Sequence, residues 1–418
     1  MSSGLLSAQT ATVPDSAFKS FLHSQYPATL DGDGELIVSK AADVRGILDC
    51  SRSNIVNLEG IQYFTQIHTL YCFKNKLTTL PDMSGMTNLL EIHAYDNALT
   101  SVPSFNKLTQ LRVLILGHNR LRHFPEVDSL KHLLELFIYG NEITQVPDLV
   151  HLTSLQKFHC YSNKLVSLGK MPASLQDLVF SNNLLTEFPD ISQAKGLLNI
   201  GGHTNRLTNM PNLTSYASLQ ECVLHKNLLT FEDLIPSSLH QGFGQWEISP
   251  QDSLPVVGVY RALKNESLKI SLLIDTASVD LTYTWYHNGV LRAQTLKPIL
   301  EIKAVQQREA GSYVCKVTSA NPAFSSLTLT TQAFTVVPIP DFTVAEDLSL
   351  TPNGDGKNDE LYFEERGQLS VFDSRGKLVD QQVTPCYWNG TSQSGIELGT
   401  GFYLLKVNDT VYRITIIR

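Results

Sequence analysis

From about Arg45 to Leu234 the apolar residues recur in one pattern, L-x-x-L-x-L-x-x-N-x-L-x-x-L. Aligned on the asparagine, the copies fall at Asn75, Asn97, Asn119, Asn141, Asn163, Asn183, Asn205 and Asn227, 22 residues apart except from Asn163 to Asn183, where the spacing is 20. An earlier copy carries Ser53 in the asparagine slot. A fixed period of this length predicts a solenoid, because one unit is too small to bury its own apolar face and stacked units bury it together. Within a copy, such as Leu111, Leu114 and Leu116, the apolar repeat positions after the first step alternate with period two, the mark of a short strand with one buried face, and successive strands then stack in parallel. The asparagine side chain carries donors and an acceptor, so it can satisfy backbone groups where the chain leaves the strand. A ligand-binding role is the other reading, but recurrence in register points to a buried structural ladder. A proline follows the next apolar position in six copies, at Pro81, Pro103, Pro125, Pro147, Pro189 and Pro211. Proline has no amide to donate and fixes its own φ, which predicts an extended convex side rather than regular helices.

These residues resemble the leucine-rich-repeat family. Around them the pattern changes. Pro14 and Asp15 open a short helix in which Phe18, Phe21 and Leu22 share a face, Pro27 stops it, and Ser39 is expected to cap a second one through Ala41 and Ala42. Between them, LDGDGELIVSK has half of an EF-hand loop. Asp31, Asp33 and Gly34 fall near positions three, five and six, but Thr29 stands at position one and Lys40 where the bidentate glutamate belongs. Calcium is the functional reading and a turn in a capping unit the structural one; the Lys40 cation weighs toward the turn. The segment from Pro14 to Phe64 resembles the capping region that precedes leucine-rich repeats in secreted Bacteroidetes proteins. After Leu234 the period is lost, Phe243 and Trp246 are expected to close the solenoid, and Pro250 and Pro255 mark a linker.

From about Ser253 the pattern becomes short strands with turn signals. Leu268, Ile270, Leu272 and Ile274 alternate, Trp285 precedes a turn at Asn288-Gly289, and Tyr313 and Cys315 form a Tyr-x-Cys element. This resembles an immunoglobulin-like domain, without the partner cysteine expected near Ile270 to Leu272. A spacer and a second adhesive module are both consistent with it. The last stretch reads L-T-P-N-G-D-G-K-N-D-E-L, then L-S-V-F-D-S-R-G-K-L-V, Y-W-N-G and G-T-G-F-Y-L-L-K-V. It resembles the C-terminal sorting domain of gliding-motility-associated proteins, the type B signal of type IX secretion in Bacteroidetes. Thr351, Pro352, Asn353, Gly354, Asp355, Gly356, Asn358 and Asp359 match the opening motif, and Trp388, Gly390, Gly401 and Tyr403 the closing strands. The oxygens of Asn353, Asp355 and Asp359 suit calcium; a tight turn of residues that tolerate positive φ is the equal alternative.

The expected fold is mostly β and multi-domain. Residues 1–44 form a helical N-terminal cap, 45–252 a leucine-rich-repeat solenoid with a parallel sheet, and 253–338 and 339–418 two antiparallel β-sandwich domains. The net charge of −8, with no long basic run, argues against a nucleic-acid partner. No apolar run approaches the roughly 20 residues that span a bilayer. The opening MSSGLLSAQT lacks a basic and an apolar signal region, so an exported form is expected to have lost its signal peptide already. Four of the six cysteines, Cys50, Cys72, Cys160 and Cys222, occupy inward repeat slots, where a free thiol serves as a small hydrophobe. Cys50 and Cys72 fall on adjacent strands, which leaves a disulfide open, although free thiols are the expectation. No catalytic fingerprint is present. Glu91, Glu135, Asp177 and Glu221 make a column of charge on the exposed strand face, and the chain reads as a non-enzyme without a cofactor.

The exposed slots beside the third apolar residue are where the chain becomes specific. They hold Tyr71 and Phe73, His93 and Tyr95, Phe137 and Tyr139, and His159 and Tyr161, with His203 and His225 further on. Ile115 and Gly117 break the run and are expected to separate two aromatic patches. Exposed aromatic surface marks binding; cross-strand stacking for the sheet's own sake is the alternative. The expected function is an exported, surface-attached binding or adhesion protein that recognises a protein or glycan through the concave face. A structural surface component, or an accessory that presents substrate to a degradative enzyme, are the alternatives.

Overall fold

The computed structural model describes residues 9–240, 242–256, 258–272, 280–339, 344–374, 377–392, 394–408 and 410–418. Ile274, Pro340, residues 375–376 and residues 1–8 lie outside them. The chain divides into two compact units, the first ending at Asp252 and the second starting at Ser253.

The first unit is a solenoid. Its strands Arg45–Asp49, Gln66–Tyr71, Glu91–His93, Val113–Ile115, Glu135–Phe137, Lys157–His159, Asp177–Val179, Asn199–Gly201, Glu221–Val223 and Gln245–Glu247 lie side by side in chain order. Pairing is parallel and the register repeats without slip from Glu91 through Val113 and Glu135 to Lys157. Ile92, Leu114, Leu136, Phe158, Leu178 and Ile200 point inward and are essentially inaccessible. Cys50, Cys72, Cys160 and Cys222 are buried among them and unbonded. Burial pushes the Cys72 thiol up to about 12, so it behaves as a neutral apolar group.

The asparagine ladder forms as the period implies. Asn141 Nδ2 donates to the carbonyls of Leu116 and Ile138, each at 3.0 Å, while its Oδ1 accepts the Leu121 amide at 2.9 Å. Each asparagine thus ties its own turn to the one before. The residue ahead of it is left-handed in every copy: Arg52, Lys74, Asp96, His118, Gly140, Ser162, Asn182, Thr204 and Lys226 all have φ between 51° and 63°. The ladder imposes this conformation whatever residue is present.

Both ends are closed. Asp15 caps the helix Ser16–Gln25 by accepting the Phe18 amide at 2.9 Å with Oδ1, and Oδ2 accepts the amides of Val56 and Asn57 at 2.7 and 2.9 Å. One carboxylate therefore fastens the cap to the first repeat. The second helix spans Val38–Asp43, so Ser39 lies inside it rather than capping it. At the other end the solenoid continues beyond Leu234. The helix Phe231–Ser238 replaces the extended convex segment, and a tenth strand follows, with Trp246 opposite Cys222 and Phe243 stacked on Trp246 at 4.5 Å. Gln251 then takes the asparagine role. Its Oε1 accepts the amides of Asn227 and Leu229 at 3.2 Å, and its Nε2 donates to the carbonyls of Leu224 and Ile248.

In the second unit, a sheet ordered Val259–Leu263, Phe334–Ile339, Gly311–Ser319, Leu281–His287, Val290–Thr295 accompanies the pair Leu268–Ser271 and Ile299–Ile302. Trp285, Tyr313, Cys315 and Ile270 are fully buried, and Trp285 lies opposite Cys315. The remaining strands form a five-stranded sheet ordered Val344–Leu350, Thr410–Ile416, Gly401–Val407, Leu361–Asp373, Leu378–Trp388. Its core gathers Leu350, Phe363, Leu369, Trp388, Leu405 and Ile414. Neither sheet is wholly antiparallel. In each, the first strand runs parallel to the last, Val259–Leu263 beside Phe334–Ile339 and Val344–Leu350 beside Thr410–Ile416. Alternation of apolar residues shows that strands exist but not that the first and last of a region run the same way.

Candidate functional site

The pleat of the solenoid strands decides what meets solvent. In Glu91–His93 the central Ile92 points in, so Glu91 and His93 point out, and the next outward residue is Tyr95. The same holds for every strand, and Tyr71, Phe73, His93, Tyr95, Phe137, Tyr139, His159 and Tyr161 are all half-buried. What buries them is one another. Phe73 stacks on Tyr95 with centroids 4.6 Å apart and planes within 5°, Tyr139 on Tyr161 at 4.7 Å and 2°, and Phe137 on His159 at 4.5 Å and 15°. Tyr71 meets His93 edge-on at 4.7 Å. The rings stand across the sheet one strand spacing apart, so they turn edges and polar tips, rather than faces, to the solvent. Burial raises the hydroxyls of Tyr95, Tyr139 and Tyr161, keeping them protonated donors.

Gly117 does not leave bare floor between two patches. A Cβ there would fall 2.4 Å from the Tyr139 ring, so the ring lies over the glycine and needs it. Three of the four carboxylates of the charge column, Glu91, Glu135 and Asp177, are engaged. Glu135 bonds Lys157 at 2.9 Å, His93 Nε2 lies 3.0 Å from Glu91, and His159 Nε2 lies 3.1 Å from Asp177. These contacts orient the imidazoles beside the rings. Further along, His203 and His225 stack at 4.6 Å and 9°. Sequence reading passed over Asp96 and His118, which flank the face from the left-handed turn. Their signal was positional, since each directly precedes a ladder asparagine and follows an outward slot.

Neither calcium reading gathers a ligand set. In the N-terminal loop, Asp31 Oδ1 accepts the amides of Asp33 and Glu35 at 2.9 Å, Glu35 pairs with Lys19 at 3.1 Å, the Thr29 hydroxyl donates to the Tyr26 carbonyl, and Lys40 lies in a helix. In the Thr351–Asp359 loop, Asp359 Oδ1 accepts the amides of Asn353 and Gly354 at 2.9 and 2.8 Å, and Oδ2 accepts Gly356 at 2.6 Å. These bonds, Gly354's foremost, hold the Asp359 carboxyl below its ordinary range. Asn353 Oδ1 accepts the Asp355 amide, Asp355 Oδ1 accepts Lys357, and Thr351 donates to the Asn358 carbonyl. Gly354, Gly356 and Asn358 take the positive φ values that let the chain wrap the carboxylate. The oxygens of Asn353, Asp355 and Asp359 thus serve the loop's own amides. Among the described residues no group of three or more His, Cys, Asp or Glu is placed to hold a metal ion. In the closing motif the buried Trp388 indole donates to Asp380 at 3.0 Å and to the Thr391 carbonyl at 3.2 Å. Asp380, a carboxylate only 4% exposed, was not singled out in sequence because nothing local marks it as buried.

The repeats and their asparagine ladder define a leucine-rich-repeat solenoid in a mostly β chain. Residues 344–415 match the CHU_C type IX secretion signal domain, so the chain carries a C-terminal type IX secretion signal and belongs among secreted or cell-surface proteins. No curated protein sequence matches the chain. Solved structures similar to it include InlP of Listeria monocytogenes, at 17% identity over 78% of this chain and 96% of that one, with a TM-score of 0.49. The functional domain of InlJ from Listeria monocytogenes is similar at 16% identity over 72% of this chain and 93% of that one, TM-score 0.31. The leucine-rich-repeat ectodomain of the Arabidopsis thaliana receptor kinase GASSHO1/SCHENGEN3, solved in complex with CASPARIAN STRIP INTEGRITY FACTOR 2, is 22% identical over 51% of this chain and 27% of that one, TM-score 0.42. Among the described residues no helix is long and apolar enough to cross a membrane.

Proposed function

We propose that this is a surface-attached binding protein of the adhesion type, whose concave face recognises a protein or glycan ligand. The observation that carries the reading is the placement of paired rings on the solvent side of the sheet, Phe73 with Tyr95 and Tyr139 with Tyr161. The opposite face of the same strands already buries the Leu and Ile core. Amphipathic rings with polar tips outward are the groups that dominate interface energetics. On this face Glu135, Glu91 and Asp177 are engaged with Lys157, His93 and His159, which favours binding over acid–base chemistry. The cap, the solenoid, an immunoglobulin-like spacer over residues 253–338 and a sorting domain from 339 are the parts of this reading. The Tyr313 hydroxyl donating to the Glu309 carbonyl at 3.0 Å, beside the Trp285–Cys315 pairing, supports the spacer. The loop from Thr351 to Asp359 is the part of the sorting domain offered to the secretion machinery.

A structural surface component is the second reading, favoured by the rings covering one another. Full-length chain carrying Tyr95→Ala and Tyr139→Ala, tested against host-surface extracts and a glycan array, separates the two. Binding is expected to weaken by about 2 kcal/mol or more with a nearly unchanged melt. Normal binding with a much earlier melt would mean that the rings are structural.

A further inference from the structure

The interruptions of the ring column have a pattern. The outermost exposed slot of successive turns holds Ser51, Phe73, Tyr95, Gly117, Tyr139, Tyr161, Ser181, His203 and His225. Rings come in twos, and each two is preceded by a residue too small to stack. Inside a pair the spacing is one strand, 4.6 to 4.7 Å. Between pairs it is two strands, about 9.5 Å. The Tyr139 ring lies over Gly117, and Tyr95 stacks parallel on Phe73, whose own ring lies 5.6 Å from the Arg52 guanidinium of the turn before. Both rings therefore lean toward the N-terminal end of the solenoid, and a shared lean preserves the interval between them. Stacked planar groups sit about 3.5 Å apart, so the interval takes one planar group between the face of Tyr95 and the face of Tyr139. Inside each pair, by contrast, the facing surfaces cover one another.

The charge at this interval selects the group. Asp96 follows Tyr95 in the left-handed turn, and its amide donates to the Gly117 carbonyl at 3.0 Å, which sets it at the slot's floor. After burial, and for Tyr139 after Tyr161 as well, Asp96 contributes to raising the hydroxyls of both Tyr95 and Tyr139, so its negative charge is felt at both walls. His118 lies against Gly140 on the following turn, where a Cβ would fall 2.6 Å from its Nδ1. Two aromatic faces with a carboxylate at the rim favour a cation. A flat guanidinium stacks between rings and bonds a carboxylate through two N–H groups, which an ammonium cannot do. We propose that the slot between Tyr95 and Tyr139 receives an arginine side chain of a polypeptide ligand, with its guanidinium sandwiched by the rings and hydrogen-bonded to Asp96. The inference rests on the concave face being the binding surface, and it narrows the ligand from protein or glycan to an arginine-bearing polypeptide. The next interval, between Tyr161 and His203, has Ser162 in place of the carboxylate, so the charge selection belongs to the first slot.

The test uses the full chain and ligand-observed NMR with a blocked pentapeptide of zero net charge that carries one arginine and one glutamate. Two parallel peptides carry citrulline or lysine in place of the arginine. The arginine δ-methylene resonances are expected to move upfield from ring currents on adding protein, and the citrulline peptide to bind about tenfold more weakly. Asp96→Asn should weaken the arginine peptide by about tenfold and leave the citrulline peptide unchanged. Tyr139→Leu should abolish the upfield shift, with an unchanged melt showing that the variant is folded. Equal binding of the arginine and citrulline peptides, or undiminished arginine binding in Asp96→Asn, would overturn the proposal. Should no peptide bind while the Tyr95→Ala, Tyr139→Ala variant still loses another ligand, the slot assignment fails and the reading of the face stands.

Discussion

Two columns run the length of the solenoid, and one period lays down both. The asparagine column is filled in every copy from Asn75 to Asn227, whereas the ring column is broken at Gly117 and Ser181. The sheet passes through both breaks in unchanged register, Ile92 to Leu114 to Leu136 and Phe158 to Leu178 to Ile200. The difference teaches what each column answers to. Every turn from Asn75 to Asn227 leaves the same backbone groups without partners, so each of these copies keeps a side-chain amide in that slot. No turn requires a ring, so rings stand where something besides the fold selects them.

The comparison breaks most easily at Asn141. Asn141→Ala leaves the buried Leu121 amide unpaired and takes one of two donors from the carbonyls of Leu116 and Ile138, which keep Asn119 Nδ2 and Asn163 Nδ2. The unsatisfied amide costs about 1–3 kcal/mol and each lost hydrogen bond about 0.5–1.5 kcal/mol, so the variant is expected to lose about 3 kcal/mol. Tyr139→Ala, one strand-slot away on the solvent side, is expected to lose about 1 kcal/mol or less, the worth of a cross-strand aromatic pair. Denaturant midpoints of the two variants decide it. Equal losses would mean that the ring column is as structural as the ladder.

The ladder's end sharpens the same contrast and shows where sequence reading stops. The eight asparagines were legible because they recur at a spacing of 22 residues, once 20, each with a Leu or Ile two positions on. The sorting loop was legible because glycines and asparagines at fixed offsets must turn, and its Asp359 cradle follows from that turn. Gln251 was not legible. It lies 24 residues after Asn227, carries a longer side chain, and follows a helix inserted into the convex side, so neither spacing nor residue type repeats. The ring faces were half legible: the period set which rings are neighbours, but whether Gly117 is a gap or a seat depends on the χ angles of Tyr139. Gln251→Ala should cost about 2 kcal/mol by leaving the Asn227 and Leu229 amides unpaired. A cost near zero would show that the ladder ends at Asn227.

A third column, the left-handed residue before each asparagine, tolerates Arg, Lys, Asp, His, Gly, Ser, Asn and Thr alike. The ladder forces the backbone there, so the residue bears the strain. Thr204 is the worst suited, because a β-branched side chain crowds the left-handed region. Thr204→Gly is expected to stabilise by about 1 kcal/mol, less what its hydrogen bond to His203 contributes. Thermal denaturation checks the sign; a destabilised variant would mean that the hydroxyl contact outweighs the strain.

The smallest expected effect separates the third ring pair from the first two. His203 and His225 stack at 4.6 Å as the tyrosines do, but imidazoles titrate. Burial lowers the pKa of His203, helped by His225 and by Lys226 and opposed by Glu247. Its folded pKa therefore lies below the unfolded value of about 6.5. As pH falls below that value the unfolded chain takes up the proton first, so this contribution to stability is whole above it and is lost as pH drops through the folded pKa. Because the side chain is only half-buried, solvent screening holds the effect to about 0.3 kcal/mol. His203→Phe keeps a ring in the stack and removes the titration. The wild-type protein is expected to lose slightly more stability than this variant between pH 7.5 and pH 5. Tyr139 and Tyr161 stay neutral across the same window, since burial raises both, so replacing either by Phe should leave that slope unchanged. Parallel slopes for the wild type and His203→Phe would place the acid sensitivity in carboxylates such as Asp15, which burial raises but the bonded amides of Phe18, Val56 and Asn57 pull down further, and would make all three ring pairs alike.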